Sequence, residues 1–181
     1  SLAFAARRKD GAVVTWGLGG YGGDSRSVAT QLASEVVTVH GNDGAFAALK
    51  QGGRVVTWGR QHWGGDSRAV GTQLSADVVS LHDSTQAFAA LKKDGAVVTW
   101  GDGPRGGDSR AVASQLSADV VSVIGPGDVF AALKRGGGVG TWCGSDTGGS
   151  SRAVASRIAG DVVSLQSTGD DIARCLVIVD V

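Results

Sequence analysis

An all-β chain, mainly antiparallel and built from tandem 42-residue repeats, is the fold class this sequence predicts, on three observations. Trp16, Trp58, Trp100 and Trp142 stand 42 residues apart, and Phe4, Phe46, Phe88 and Phe130 keep the same interval, with Ile172 in the fifth place. Runs such as Val55-Val56-Thr57-Trp58 are β-branched or aromatic, the composition that suits strands. Gly-Gly or Asp-Gly pairs interrupt these runs at one fixed place, where a hairpin has to turn.

The register divides the chain into units 3–44, 45–86, 87–128 and 129–170, followed by a strand-like stretch at 171–181. With 181 residues, one row of stacked units forms a single repeat domain over 1–181. Within the second unit, Ala45 to Lys50 and Arg54 to Trp58 flank Gly52-Gly53, and Asp10-Gly11 and Asp94-Gly95 hold that place elsewhere. These pairs predict a two-residue hairpin turn with positive φ at both central residues. The run Val55 to Trp58 is apolar on both faces, as in a strand covered on both sides by stacked layers. The register Phe and Trp residues are accordingly expected to be the structural core of each repeat.

A loop reading Gly-Gly-Asp-Ser-Arg follows each hairpin, at 22–26, 64–68 and 106–110, and becomes Gly-Gly-Ser-Ser-Arg at 148–152. Asp or Ser ahead of Val28 and Leu32 reads as an N-cap leading into a short helical turn, or else as an irregular outer strand. A third strand, Val-Val-x-Val or Val-Val-x-Leu, closes the unit. The ends depart from the pattern. Arg7 stands where Leu49, Leu91 and Leu133 recur, Cys175 takes that place last, and Gly140 replaces a strand valine. Atypical end units are expected where a stack stops or closes.

Composition narrows the function. Lys plus Arg (17) equal Asp plus Glu (17), which removes the basic field that a nucleic-acid binder uses to collect phosphates. No apolar run approaches the roughly 20 residues that span a bilayer as a helix, although peripheral association stays open. Cys143 and Cys175 are too few for a disulfide scaffold and lack metal-ligand spacing, so their redox state is left open. The chain contains no methionine. It therefore reads as a processed chain or a fragment, and processing would suit an organelle, plastids included, or a secretory route.

The stretches Ala89-Ala90-Leu91-Lys92, Asp94-Gly95, Val97 to Gly101, Gly106-Gly107 and Val120-Val121-Ser122-Val123 together resemble repeats of the regulator of chromosome condensation family. The pattern recurs once per unit along essentially the whole chain. The resemblance implies β-propeller blades, usually about seven in a ring, serving mainly as protein-interaction platforms. The chain departs from the family in having Gly-Gly-Asp-Ser where Gly-Gln-Leu-Gly is usual, and in holding only Pro104 and Pro126. A propeller-like array of four blades fits a closed ring, an arc of a larger ring or an open β-solenoid, and the residues leave these open.

Catalytic sets are not evident. His40 and His82 are equivalent, but Ile124 and Gln166 follow them, so no repeated acid-base or metal site is expected. His62 lies in a variable loop beside Trp63 without a fixed carboxylate partner. The Asp-Ser-Arg steps read as polar ties, Asp66 to loop amides and Arg68 to a neighbouring unit. The glycine runs at 17–20 and 136–138 precede no helix that could hold a phosphate, and no cofactor is expected.

Repeat proteins keep a constant frame and vary the loops that project from it. One variable set comprises Leu18 to Tyr21, Arg60 to Trp63, Asp102 to Arg105 and Ser145 to Thr147; another runs through Asn42-Asp43, Asp83 to Gln86, Pro126 to Asp128 and Thr168 to Asp171. The first set holds Tyr21, Arg60, His62, Trp63 and Arg105, with the aromatic and Arg types that concentrate binding energy at interfaces, and is the expected partner-binding rim. The function read here is a non-catalytic protein-interaction or scaffolding module, an accessory subunit of a large multisubunit complex. The alternatives are a lectin-like or small-ligand binder with repeated Trp pockets and, by family analogy, an exchange factor.

Overall fold

The computed structural model describes residues 2–143, 160–167 and 177–178. Its strands are β1 (Ala3–Arg7), β2 (Val13–Gly17), β3 (Val36–Gly41), β4 (Ala45–Lys50), β5 (Val55–Gly59), β6 (Val78–Asp83), β7 (Ala87–Lys92), β8 (Val97–Gly101), β9 (Val120–Ile124), β10 (Val129–Lys134), β11 (Val139–Cys143), β12 (Gln166–Ser167) and β13 (Val177–Ile178). All pairings are antiparallel. The order is β3-β4-β5, then β6-β7-β8, then β9-β10-β11, with two-stranded β1-β2 and β12-β13 at the ends, and the sheets do not close on one another among the described residues.

Each three-stranded sheet takes its first strand from one sequence unit and its hairpin from the next, as β3 (Val36–Gly41) pairs with β4 (Ala45–Lys50). Consecutive blades are thereby interlocked by the chain itself. The first strand carries a bulge at the same place in every sheet, between Val36 and Thr38, Val78 and Ser80, and next to Lys134 opposite Val120. An extra residue shifts the two-residue alternation of side chains. Val36, Val78 and Val120 are consequently buried, as are Leu81 and Val123 three residues on, whereas Val37, Val79 and Val121 face outward.

The hairpin turn differs from the expected two-residue form. Lys92 N–H donates to the Ala96 carbonyl (2.8 Å) and Gly95 N–H to the Lys92 carbonyl (2.9 Å), which encloses the three residues Lys93-Asp94-Gly95. In this turn Gly95 alone takes positive φ (+81°) and Asp94 Oδ1 accepts from Ala96 N–H at 3.0 Å, whereas in the second unit Gly52 and Gly53 both take positive φ (+81° and +80°), as expected there. A three-residue loop ending in a left-handed glycine matches the strand twist without asking Asp94 to adopt a costly conformation.

The loop after each hairpin forms 3-10 turns, at Arg26–Val28, Arg68–Val70 and Arg110–Val112, and not an outer strand. Ser67 supplies no side-chain cap to its turn; Asp66 Oδ1 instead accepts the Arg68 N–H at 3.0 Å. Arg68 does not reach a neighbouring unit. It folds back onto Asp66, with Nη2 donating at 2.6 Å, because a residue two positions away is reached at less entropic cost than another blade. These hydrogen bonds hold the Asp66 carboxyl down at about 2, and Asp24 and Asp108 likewise.

Phe and Trp meet face to face across every hairpin, with ring centroids 5.3 or 5.4 Å apart. Each later pair is sealed by the Gly-Gly loop of the preceding unit: Trp58, Trp100 and Trp142 donate Nε1–H to the carbonyls of Gly22, Gly64 and Gly106 at 3.0, 3.0 and 3.1 Å. Phe88, Trp100, Phe130, Trp58 and Trp142 are buried and Phe46 is half-buried. Phe4 and Trp16 depart from this: each is 50 % exposed, because among the described residues no blade lies against the outer side of the first hairpin. Arg7 stands on the opposite face: its equivalents Leu49, Leu91 and Leu133 are buried against the following blade, and Arg7 turns to that same side, its Nε donating to the Val36 carbonyl.

At the other end, β12 pairs with β13 with Gln166 opposite Ile178. Ile172, Cys175 and the loop at 148–152 lie outside the described residues.

Candidate functional site

The structure brings the described members of the two variable-loop sets together on one rim; Ser145 to Thr147 and Thr168 to Asp171 lie outside the described residues. The turns Gly19–Tyr21, Gln61–Trp63 and Gly103–Arg105 each end in a left-handed glycine and so share one backbone shape. The connections between blades reach across to them. Asn42 Nδ2 donates to the Trp63 carbonyl at 2.7 Å, and Ser84 Oγ donates to the Arg105 carbonyl at 2.7 Å. Backbone bonds from Asp43 N–H to the Thr85 carbonyl and from Thr85 N–H to the Gly127 carbonyl run along the same edge.

Three of the five expected partner-binding residues come together here. The Arg60 guanidinium lies 4.1 Å from the Trp63 ring centroid and 5.1 Å from that of Tyr21. Its Nη1 donates to the Tyr21 hydroxyl at 3.0 Å, and the two rings meet edge to face at 6.1 Å. Each cation-ring contact at an exposed position contributes about 0.5–1 kcal/mol. Among the described residues Arg60 has no carboxylate within ion-pair distance. The guanidinium is thus held in place by rings that leave its charge unneutralised.

Beside this cluster lies a groove of about 610 Å³ whose lining includes Leu2, Phe4, Tyr21, Asn42, Asp43 and Trp63. Gly44 floors the cluster, since a Cβ there would stand 2.6 Å from the Trp63 ring. Asn42 was singled out in the second variable set and not grouped with Trp63, and Gly44 was not anticipated. The signal for them is tertiary, because only the packed blades bring residue 42 to residue 63.

Arg105 and His62 are placed elsewhere. Arg105 Nη1 is ion-paired with buried Asp128, whose other oxygen accepts from the Thr85 hydroxyl. Arg105 is therefore a tie between connections and is spent inside the protein. His62 is exposed and lines a separate groove of about 780 Å³ together with Asp66, Trp100 and Arg110.

The equivalent histidines form a polar group on β3 (Val36–Gly41) and β6 (Val78–Asp83). His40 Nδ1 is 3.1 Å from Asp83 Oδ1, and His82 Nε2 is 3.0 Å from Ser80 Oγ. Burial first, and the nearby His40 second, push His82 down from 6.5 to about 4, with Asp83 acting in the opposite sense. The folded protein therefore favours neutral His82, and its unfolded chain takes up a proton first as pH falls. Stability from this group is complete above about 6.5 and is lost as pH falls toward about 4. The urea midpoint is expected to drop between pH 7 and pH 5, and to drop less in His82→Gln. Among the described residues no three His, Cys, Asp or Glu side chains gather as a metal site, and no helix is long and apolar enough to cross a membrane.

No family model matches the sequence, and no curated protein does. Solved structures do. Prp20p from Saccharomyces cerevisiae, studied for its binding to Gsp1p and histones, is 16 % identical and superposes with a TM-score of 0.55 over 81 % of this chain and 43 % of its own. Yeast RCC1 (Prp20) with Kap60 bound gives 18 % identity and a TM-score of 0.53 over 78 % and 41 %. Human WBSCR16 gives 16 % identity and a TM-score of 0.54 over 78 % and 44 %. The chain spans less than half the length of these proteins. At such identities the likeness establishes the fold, an RCC1-like β-propeller architecture of repeated blades.

Proposed function

We propose that this chain is a non-catalytic protein-interaction module that meets its partner through the rim built from Tyr21, Arg60 and Trp63. The observation carrying this reading is the unneutralised Arg60 guanidinium clamped against two aromatic rings at the edge of a groove. An Arg already oriented by stacking loses little conformational freedom when it meets a partner, which is why such residues act as energetic centres. Fold relatives support the class of function: Prp20p binds Gsp1p and histones, and yeast RCC1 binds Kap60. Which partner this chain takes, and whether it sits in a large assembly as an accessory subunit, belongs to the same proposal.

Repeated sugar or small-ligand pockets would need accessible register tryptophans. Trp58, Trp100 and Trp142 are buried with their indole N–H groups satisfied, which favours the protein interface. The test is affinity isolation from the native source with intact protein and with Arg60→Ala and Trp63→Ala. Each variant is expected to lower capture of the co-purifying protein at least tenfold while still folding cooperatively, the lost cation-ring contacts costing about 1–2 kcal/mol of stability. Equal capture by both variants would refute the rim as the contact surface.

A further inference from the structure

The formal neutrality of the chain, 17 basic against 17 acidic side chains, conceals an uneven distribution. Its lysines, Lys9, Lys50, Lys92, Lys93 and Lys134, all stand at or beside the hairpin turns. The rim lies at the other end of the hairpins, where Ala87 pairs with Gly101, and carries no lysine. On the described loops that build it, Asp43, Asp83, Asp102 and Asp128 outnumber Arg60 and Arg105. Packing takes some of these charges out of play. Arg105 and Asp128 neutralise one another and Asp83 faces His40, whereas Arg60, Asp43 and Asp102 enter no ion pair among the described residues. The charge left for a partner is therefore one guanidinium and two carboxylates.

Arg60 and Asp102 are placed by the same backbone device. Each precedes a three-residue turn, with φ and ψ of −65° and 118° at Arg60 and −67° and 120° at Asp102. Each donates its N–H to the connection entering its own blade, Arg60 to the Gly44 carbonyl at 2.8 Å and Asp102 to the Gln86 carbonyl at 3.0 Å. Opposite charges thus occupy one position on successive blades. Asp43 is exposed in the first of these connections, next to the Gly44 that lies beneath the Trp63 ring. The rings of Tyr21 and Trp63 hold the Arg60 guanidinium where neither carboxylate reaches it.

We propose that the rim takes a basic partner surface that sets one carboxylate among its cations, the carboxylate meeting Arg60 and the cations meeting Asp43 and Asp102. The proposal rests on the interaction reading of this rim and specifies the partner's charge. Arg60 carries a planar fork of N–H donors, and among the described residues only Nη1 is bonded, to the Tyr21 hydroxyl, so the fork is open to a carboxylate. An acidic partner would meet Arg60 while facing two like charges, and a purely basic one would be repelled by Arg60. The mixed surface satisfies all three groups and excludes both of the others.

The test titrates three capped peptides of one length into the full chain: Lys-Lys-Gly-Glu-Gly-Lys-Lys, the same peptide with Lys for Glu, and the inverted Glu-Glu-Gly-Lys-Gly-Glu-Glu. Binding at the rim is read from the indole N–H resonance of Trp63. The first peptide is expected to bind at least threefold more tightly than either of the others, and to weaken as NaCl is raised from about 50 to about 300 mM. Asp43→Asn combined with Asp102→Asn should weaken it at least threefold, and Arg60→Ala should erase the preference for Glu over Lys at the central position. Equal or tighter binding of the inverted peptide, equal binding of the first two, or an unmoved Trp63 resonance with all three at millimolar concentration would each overturn the proposal. Capture of the native partner that falls with Arg60→Ala but is unchanged with Asp43→Asn and Asp102→Asn would overturn the charge assignment and leave the rim reading standing, so the two fail separately.

Discussion

Phe88→Ala is expected to lower the unfolding free energy by about 3–5 kcal/mol, the range for removing a fully enclosed aromatic side chain. Phe88 has no exposed surface, stacks on Trp100 at 5.4 Å and belongs to a cluster with Leu74, Leu81 and Val98. The ring is fixed between a rigid strand pair and the Gly64 loop, so the surroundings cannot collapse into the space it leaves. The identical change at Phe4 serves as the internal control. Phe4 occupies the same register position but is half exposed, and its replacement should cost only about 1 kcal/mol. Urea unfolding followed by tryptophan fluorescence measures both, and equal losses would mean that the first hairpin is covered in solution.

Gly64→Ala is expected to be nearly as severe, at about 3 kcal/mol. Gly64 has φ of +99°, where an L side chain is strained by about 1–3 kcal/mol. The added methyl would also stand 2.5 Å from Cδ2 of the immobile Phe88 ring and 3.2 Å from the Trp100 Nε1 that donates to the Gly64 carbonyl. Strain, overpacking and a disturbed hydrogen bond fall on one atom group. Gly20→Ala isolates the local terms, since its Cβ would meet nothing within 4 Å and its φ is not positive. That variant should unfold at the unchanged midpoint, and a large loss there would show that loop stiffness, not the joint, sets stability.

These two positions also show why the joint between blades was only half legible. The regular recurrence of Phe and Trp identified core residues, and the Gly-Gly pair was visible beside them. That Gly22, Gly64 and Gly106 lie on the rings of the next unit, 24 residues ahead in each case, could be known only once the blades were stacked. Phe4 and Trp16 illustrate the limit from the other side. They carry the same letters as the buried pairs, but burial depends on a neighbour that the residue itself does not encode.

The rim follows the same logic. Residue type nominated Tyr21, Arg60, His62, Trp63 and Arg105 together, since all occupy variable loops. Packing sorted them by what else lay within reach: Asp128 met Arg105, the two aromatic rings met Arg60, and His62 turned to another groove. The backbone held a further surprise in Glu35, Asp77, Asp119 and Asp161, all with φ near +63° or +64°. No composition signal marks Glu35 as left-handed. It is driven there because Gln51 N–H donates to its carbonyl while Val36 N–H reaches the Gly11 carbonyl, so that two blades pull on one turn.

Fold class, repeat length, the strands with their Asp-Gly or Gly-Gly turn sites and the identity of the Phe and Trp that stack in each hairpin follow from the letters alone, because they depend on periodicity and on local steric preference, which neighbouring letters carry. Only the structure showed the three-residue form of the turn, the bulge that buries the first residue of each inner strand, and the separation of Arg60 from Arg105. The separation of the two arginines is set by contacts 39 and 23 positions apart, whose distances depend on how the blades pack and are written in no single segment of the chain.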